Sequence, residues 1–226
     1  MLSTALNLQV NLASSAIPRY IAIEGPIGVG KTTLAKNLGH TFGYETLLEQ
    51  ANNNPFLERF YQDRKATALP TQLHFLFQRA KQLQELRQAD MFEPVRIADF
   101  LMEKDQLFAQ VTLDNDEYRL YQQVYDQLTI DATTPDIVVY LQAPIETLLE
   151  RIQKRGNPAE KAIDANYLRE LNDAYTKFFH YYDRSPLLIV NSAEIDLLNN
   201  QNHYKQFVEV LLQTKSGRHY YNPSVF

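Results

Sequence analysis

Gly25-Pro26-Ile27-Gly28-Val29-Gly30-Lys31-Thr32 fits the spacing G-x-x-x-x-G-K-[ST] without a mismatch, and Thr33 follows it. Glycines at this spacing let backbone N–H groups turn inward around an anion, and a helix behind them presents its positive end. In that geometry Lys31 reaches the β and γ phosphates of a nucleoside triphosphate, and the Thr32 hydroxyl ligates Mg²⁺. The stretch from Tyr20 to Leu38 reads as strand, turn and helix, the context such a loop needs. The motif names a phosphate donor and leaves the acceptor open: water, a protein movement or a second small molecule.

Transfer to a second molecule needs a base for its hydroxyl, cations over the moving group and a pocket that excludes water. Glu49, just past a second strand, is placed to take a hydroxyl proton. Asp99 ends a third strand, where a carboxylate can hold Mg²⁺ through water. Arg151, Lys154 and Arg155 lie within five residues and run into Gly156, as a lid that closes on phosphates would. Arg151 and Arg155, four apart, share a helix face. Gln72, Phe75 and Arg79 fall in line on one helix, so an amide and a guanidinium flank a ring and can read the edge of a planar base. Each also has a plain structural account: a solvated loop glutamate, a helix cap at Asp99, a basic last turn at Arg151–Arg155, a half-exposed helix surface at Gln72–Arg79.

These residues need a scaffold that carries them on strand ends. Short apolar runs at 21–23, 45–48, 95–99, 136–142 and 186–191 predict five strands. Helical spacing fills the gaps: 31–42, 55–63, 71–86 with Pro70 at its start, stretches up to about 128, 144–154 and 166–182. The alternation predicts an α/β fold, a five-stranded parallel sheet flanked by helices, with a helical lid at about 151–162. Ligands then sit beyond the carboxyl ends of the strands, where the candidate residues fall. The expected organisation is a mostly polar tail at 1–17, one domain over 18–215 and a second tail at 216–226, aromatic and basic, whose role the sequence leaves unexplained.

The chain has 226 residues, no cysteine and a formal charge of −5. Disulfides and thiolate metal sites are excluded, and a reducing cytoplasm is the expected location. The acidic balance argues against a general nucleic-acid binder. No apolar run is long enough to span a membrane, and the first 17 residues carry no Lys or Arg, against a signal or transit peptide. His40, His74, His180, His203 and His219 show no metal spacing and are read as structural.

Together the blocks EGPIGVGKTTL (24–34), Glu49 with NNPFLERFYQD (53–63), TQLHFLFQRAKQL (71–83), DFLMEKDQLFA (99–109), RIQKRGNPAEKAI (151–163), YLRELNDAYTKFF (167–179) and PLLIVN (186–191) resemble the deoxyribonucleoside kinases, over nearly the whole chain after Pro18. The resemblance implies a P-loop NTPase fold and transfer of the γ-phosphate of ATP, with Mg²⁺, to the 5′-hydroxyl of a deoxynucleoside for nucleotide salvage. It implies Glu49 as the base, Tyr61 and Glu160 as holders of the sugar 3′-hydroxyl, Gln72 and Arg79 at the base edge, Phe108 on the base face, and Arg151 and Arg155 as lid arginines. It also implies a homodimer and feedback inhibition by a deoxynucleoside triphosphate.

Three departures stand out. Many members carry an arginine where this chain has Phe100; Lys104, one helical turn on, is expected to supply that charge, as a point charge without the guanidinium fork. The D-[FY]-x-x-x-K pattern is similar to a bacterial branch that includes purine deoxynucleoside kinases, so deoxyadenosine or deoxyguanosine is the expected substrate. Asn157 stands where a further lid arginine is common, and Gln50 where a proline often follows the glutamate. Two rivals are weighed. A thymidylate-kinase-like nucleotide kinase would place a monophosphate against Glu49, which repels it. A non-enzymatic subunit with a kinase fold would show an eroded phosphate site, and Lys31, Thr32, Glu49, Arg151 and Arg155 are all present.

Overall fold

A computed structural model describes residues 17–89, 96–129, 133–193, 195, 197 and 200–222. The N-terminal tail expected at 1–17 lies outside these except for Ile17, which packs against the core. Among the described residues one sheet of six strands has the order β2-β3-β1-β4-β5-β6, formed by β1 Tyr20–Glu24, β2 Glu45–Leu47, β3 Arg96–Ala98, β4 Ile137–Gln142, β5 Leu187–Asn191 and β6 Arg218–Tyr221. Every pairing is parallel. β1 is central: the chain leaves it for β2 and β3 on one side and returns to β4 on the other. A crevice therefore opens past the carboxyl end of β1.

Among the described residues eight α-helices connect or follow the strands: α1 Lys31–Phe42, α2 Leu57–Gln62, α3 Arg64–Ala89, α4 Lys104–Thr112, α5 Asn115–Thr129, α6 Ile145–Arg155, α7 Ala165–Tyr181 and α8 Gln201–Gln213. Strand residues alternate between two buried faces. Ile21, Ile23, Val139 and Leu141 pack with Leu34 and Leu38 of α1 and Phe207 and Leu211 of α8. Ala22, Val138 and Tyr140 pack with Leu171, Tyr175 and Phe179 of α7. A third cluster joins α3 to α5 through Leu76, Leu83, Tyr121 and Tyr125.

Two expectations are corrected. The sheet has six strands, not five, and the sixth lies in the segment read as a tail. Its sequence RHYY has no apolar alternation, and its residues are exposed up to Tyr221. A ladder to β5 holds it, together with Arg218, which donates to the carbonyls of Phe179, His180 and Tyr182 at the end of α7. Second, α3 begins at Arg64, so Pro70 lies inside it rather than at its start. Asp63 caps the first turn through the Ala66 N–H, and the intervening Arg, Lys and Ala are good helix formers. Pro70 removes the bond to the Ala66 carbonyl, and Ala66 is an exposed residue.

Candidate active site

The loop after β1 is shaped by its glycines. Gly25 has φ 149° and a Cβ there would lie 2.4 Å from the Leu141 carbonyl oxygen, so only glycine fits. Gly28, at φ 85°, would meet Leu148 O and Ile152 Cγ1 at 2.9 Å. Gly30 is the N-cap of α1, so the open N–H groups of that helix face the loop. Within the loop the Lys31 ammonium donates to the carbonyls of Gly25 at 2.6 Å and Pro26 at 3.1 Å. Burial, then the Lys104 charge, pulls its pKa down to about 7.

A cavity of about 600 Å³ opens beside this loop. Lys31, Thr32, Glu49, Tyr61, Gln72, Phe75, Arg79, Asp99, Lys104, Phe108, Arg155 and Glu160 all line it, so segments far apart in sequence converge on one space. Asp99, buried past β3, is bifunctional: Oδ2 accepts from the Thr32 hydroxyl at 2.5 Å and Oδ1 from the backbone N–H of Glu49 at 2.6 Å. The Glu49 carboxylate is paired at both oxygens, with the Arg79 guanidinium on Oε1 and the Lys104 ammonium 3.1 Å from Oε2. Two glutamines of α3 hold the peptides on either side: Gln82 donates to the Leu48 carbonyl and Gln78 to that of Gln50.

Lys104, expected to supply the charge missing at Phe100, lies with its ammonium against the Glu49 carboxylate. Phe100 is buried, its ring 5.9 Å from the Arg79 guanidinium carbon. The Lys104 ammonium also lies 5.4 Å from the centre of the Phe108 ring. The other branch of the Arg79 fork goes to Asp105, which is fully buried and which the sequence reading did not single out. Asp105 sits inside the quoted block beside Lys104, but nothing in its type or spacing separates it from a surface residue. Glu24, buried in front of the loop, was missed in the same way. The Gln72 amide, 2% exposed, has no protein hydrogen-bond partner among the described residues and faces the cavity with two free donors and an acceptor.

Tyr61 and Glu160 meet at the other wall. Burial, with the Glu160 charge second, raises the Tyr61 phenol well above its ordinary range, so it stays a neutral donor. Glu160 sits in a 3₁₀ turn, Pro158–Ala162, capped by Asn157. Its Oε2 accepts from Arg155 at 2.5 Å. The two expected lid arginines part company. Arg155 enters the cavity, whereas Arg151 is not among its lining residues. Arg151 donates to the Val29 carbonyl at 3.1 Å, to Ser192 O at 2.7 Å and to Ser192 Oγ at 3.2 Å, flanking the phosphate loop from outside. Asn157 reaches Asn52 Oδ1 across the mouth at 3.2 Å.

A glycine-shaped anion loop behind the first strand of a parallel sheet, facing a carboxylate between two cations, defines a P-loop phosphotransferase. Residues 21–214 match the deoxynucleoside kinase family, and the chain belongs to it. It is 41% identical over 160 residues to the deoxyguanosine kinase of Bacillus subtilis, covering 69% of this chain and 76% of that protein. It is 29% identical over 197 residues to the deoxyadenosine/deoxycytidine kinase of the same organism, covering 84% and 89%. Among solved structures it is similar to deoxyadenosine kinase from M. mycoides with bound dCTP, with TM-score 0.74 and 29% identity over 86% of this chain and 99% of that one. Its reaction is ATP-dependent phosphorylation of a deoxynucleoside.

Proposed function

We propose that the chain transfers the γ-phosphoryl group of ATP to the 5′-hydroxyl of a purine deoxynucleoside, with Glu49 as general base. The observation that carries this is the Glu49 carboxylate, held between Arg79 and Lys104 on the cavity wall and tied by its own N–H to Asp99. The loop Gly25–Thr33 binds the donor phosphates. The nucleoside lies across the cavity, its base against Gln72, Phe75 and Phe108, and its sugar hydroxyl between the Tyr61 donor and the Glu160 acceptor. The Arg79 fork reaches both Glu49 on the cavity wall and the buried Asp105 behind it. Arg155 moves onto the transferring group, and Arg151 steadies the loop through Val29. Positioning and fixed charge supply most of the rate.

Mg²⁺ fits the oxygen set of Thr32 and Asp99 beside the loop: a hydroxyl and a carboxylate, both hard ligands. Among the described residues no group of three His, Cys, Asp or Glu side chains could hold a metal. When bound, Mg²⁺ neutralises phosphate charge. The Asp99 oxygen that now accepts from Thr32 would turn to it, directly or through water.

The purine reading is supported by the relatives' names, deoxyguanosine and deoxyadenosine kinases. We also infer a cytoplasmic homodimer, on the cysteine-free sequence and the family resemblance; no described helix is long and apolar enough to cross a membrane. The test is a transfer assay with MgATP and each of the four deoxynucleosides, in parallel with thymidine monophosphate. Turnover of deoxyguanosine or deoxyadenosine above the pyrimidines is expected. Activity on the monophosphate alone would overturn the reading.

A further inference from the structure

Glu24 closes β1 and stands immediately before the phosphate loop. It is 1% exposed and does not line the cavity. A carboxylate this deep is costly unless its oxygens are satisfied and its charge is paired. Groups from three other parts of the fold converge on it besides its own neighbour. The Gly25 N–H and the Tyr175 hydroxyl of α7 both donate to Oε1 at 2.9 Å. The Leu101 N–H, after β3, donates to Oε2 at 2.9 Å. The Lys104 ammonium of α4 lies 4.0 Å from Oε1. The same ammonium lies 3.1 Å from Glu49. Lys104 thus has two carboxylates, one in the site and one beneath it.

We propose that Glu24 is a positioning residue, the permanent counter-ion that keeps Lys104 charged and in place while Glu49 loses its own charge. The inference rests on the reading of Glu49 as base. In the transfer the acceptor O–H breaks and its proton goes to Glu49. The acceptor oxygen bonds the γ-phosphorus, whose bond to the bridging oxygen breaks with the electron pair staying on ADP. At that moment the Glu49 carboxylate becomes neutral and no longer balances Lys104. Glu24 does not line the cavity and takes no part in the proton transfer. It holds the ammonium protonated, free to turn from Glu49 toward the phosphoryl oxygens. Around Lys104 the other charged groups are Glu49, Arg79, Asp99 and Lys31, from four further elements. Burial lowers the Lys104 pKa, and the Glu24 charge opposes it. The hydrogen bonds from Gly25, Leu101 and Tyr175 fix the carboxylate, so it cannot follow Lys104 into the site.

A double-mutant cycle on kcat tests this, using Glu24→Gln, Lys104→Met and the pair. Glu24→Gln should lower kcat by about 30-fold or more with KM for both substrates within about threefold, and should cost less than about threefold when Lys104 is already Met. Tyr175→Phe removes one hydrogen bond from Glu24 and leaves both charges; it should keep kcat within about threefold. Multiplicative losses in the cycle, or an equal loss in Tyr175→Phe, would overturn the inference. A second measurement leaves Glu24 untouched and stands if Glu24→Gln fails to fold. In Glu49→Gln, the Lys104 ¹³Cε resonance should titrate as an ammonium through pH 7. A neutral Lys104 in that variant would overturn the inference. Absence of transfer to any deoxynucleoside by the unaltered protein would instead bring down the functional reading, and the Lys104 titration would still report on Glu24.

Discussion

Asp99 accepts the backbone N–H of Glu49 at 2.6 Å, so the residue proposed to hold the metal also fixes the residue proposed to take the proton. Its other oxygen receives the Thr32 hydroxyl at 2.5 Å. Donor and acceptor half-sites therefore share one carboxylate. Asp99→Asn keeps an acceptor for the Glu49 N–H and weakens cation binding. It should raise the free Mg²⁺ needed for half-maximal rate by about tenfold or more, with a smaller fall in saturated kcat. Asp99→Ala loses both contacts, and its rate should not recover at saturating Mg²⁺. Full recovery would separate the two roles.

Glu49→Gln should keep deoxynucleoside affinity and lose about 10²- to 10⁴-fold in kcat, the range for a positioned general base. Calorimetric binding beside steady-state rates decides the matter. Turnover within a few-fold of the unaltered protein would remove Glu49 from the role.

Lys104 gives a pH signature with a defined sign. Burial brings its ammonium from 10.5 down to about 8. If the charged form is needed, kcat falls as pH rises through about 8. Lys104→Arg carries a cation that does not titrate in this range, so its alkaline limb should move upward even where its absolute rate is lower. Stability runs the opposite way. Between pH 8 and 10.5 the unfolded chain keeps the proton that the folded chain releases, so this contribution to folding rises with pH. Urea titrations at about pH 7.5 and 9.5 should show the unaltered protein gaining on Lys104→Met at the higher value.

Arg155 and Glu160 hold one another, although the proposed reaction needs them on different substrates. A sugar hydroxyl on Glu160 frees Arg155 for phosphate. Arg155→Ala should therefore leave deoxynucleoside binding unchanged or tighter in the absence of ATP, and lower kcat by about 10²-fold. Isothermal titration of the deoxynucleoside alone reads the first half; weaker binding would contradict it.

Arg218 caps three carbonyls at the end of α7, at 2.8, 2.7 and 3.4 Å. Arg218→Ala should cost about 1–3 kcal/mol of unfolding free energy, the scale for charge-assisted hydrogen bonds. KM values should stay unchanged, since β6 is remote from the cavity. Chemical denaturation beside a kinetic run checks both.

Much of this site was legible in the residues because phosphate binding imposes a local pattern. The loop Gly25–Thr32 needs glycines at positions where a Cβ would strike Leu141 or Leu148, and that requirement is written in consecutive residues. Strand ends carried Glu49 and Asp99 because apolar runs mark buried parallel strands. Asp105 and Glu24 escaped notice for the opposite reason. Each acts through partners far away in sequence, Arg79 for one and Tyr175, Leu101 and Lys104 for the other. β6 escaped because an exposed edge strand has no face pattern to read. Pro70 points to a helix start because its usual place is a first turn, whereas here it lies inside a helix that begins at Arg64. Arg151 shares its helix with Arg155, yet sequence spacing does not tell whether a neighbouring loop intercepts a side chain.

The Lys31 ammonium rests on the carbonyls of its own loop, those of Gly25 and Pro26. The cradle is therefore cast around a cation. A bound triphosphate would offer the lysine phosphate oxygens in place of these two carbonyls. When ADP departs, the lysine has its former partners to return to. The mould resets itself between turnovers, and each cycle begins from the same shape.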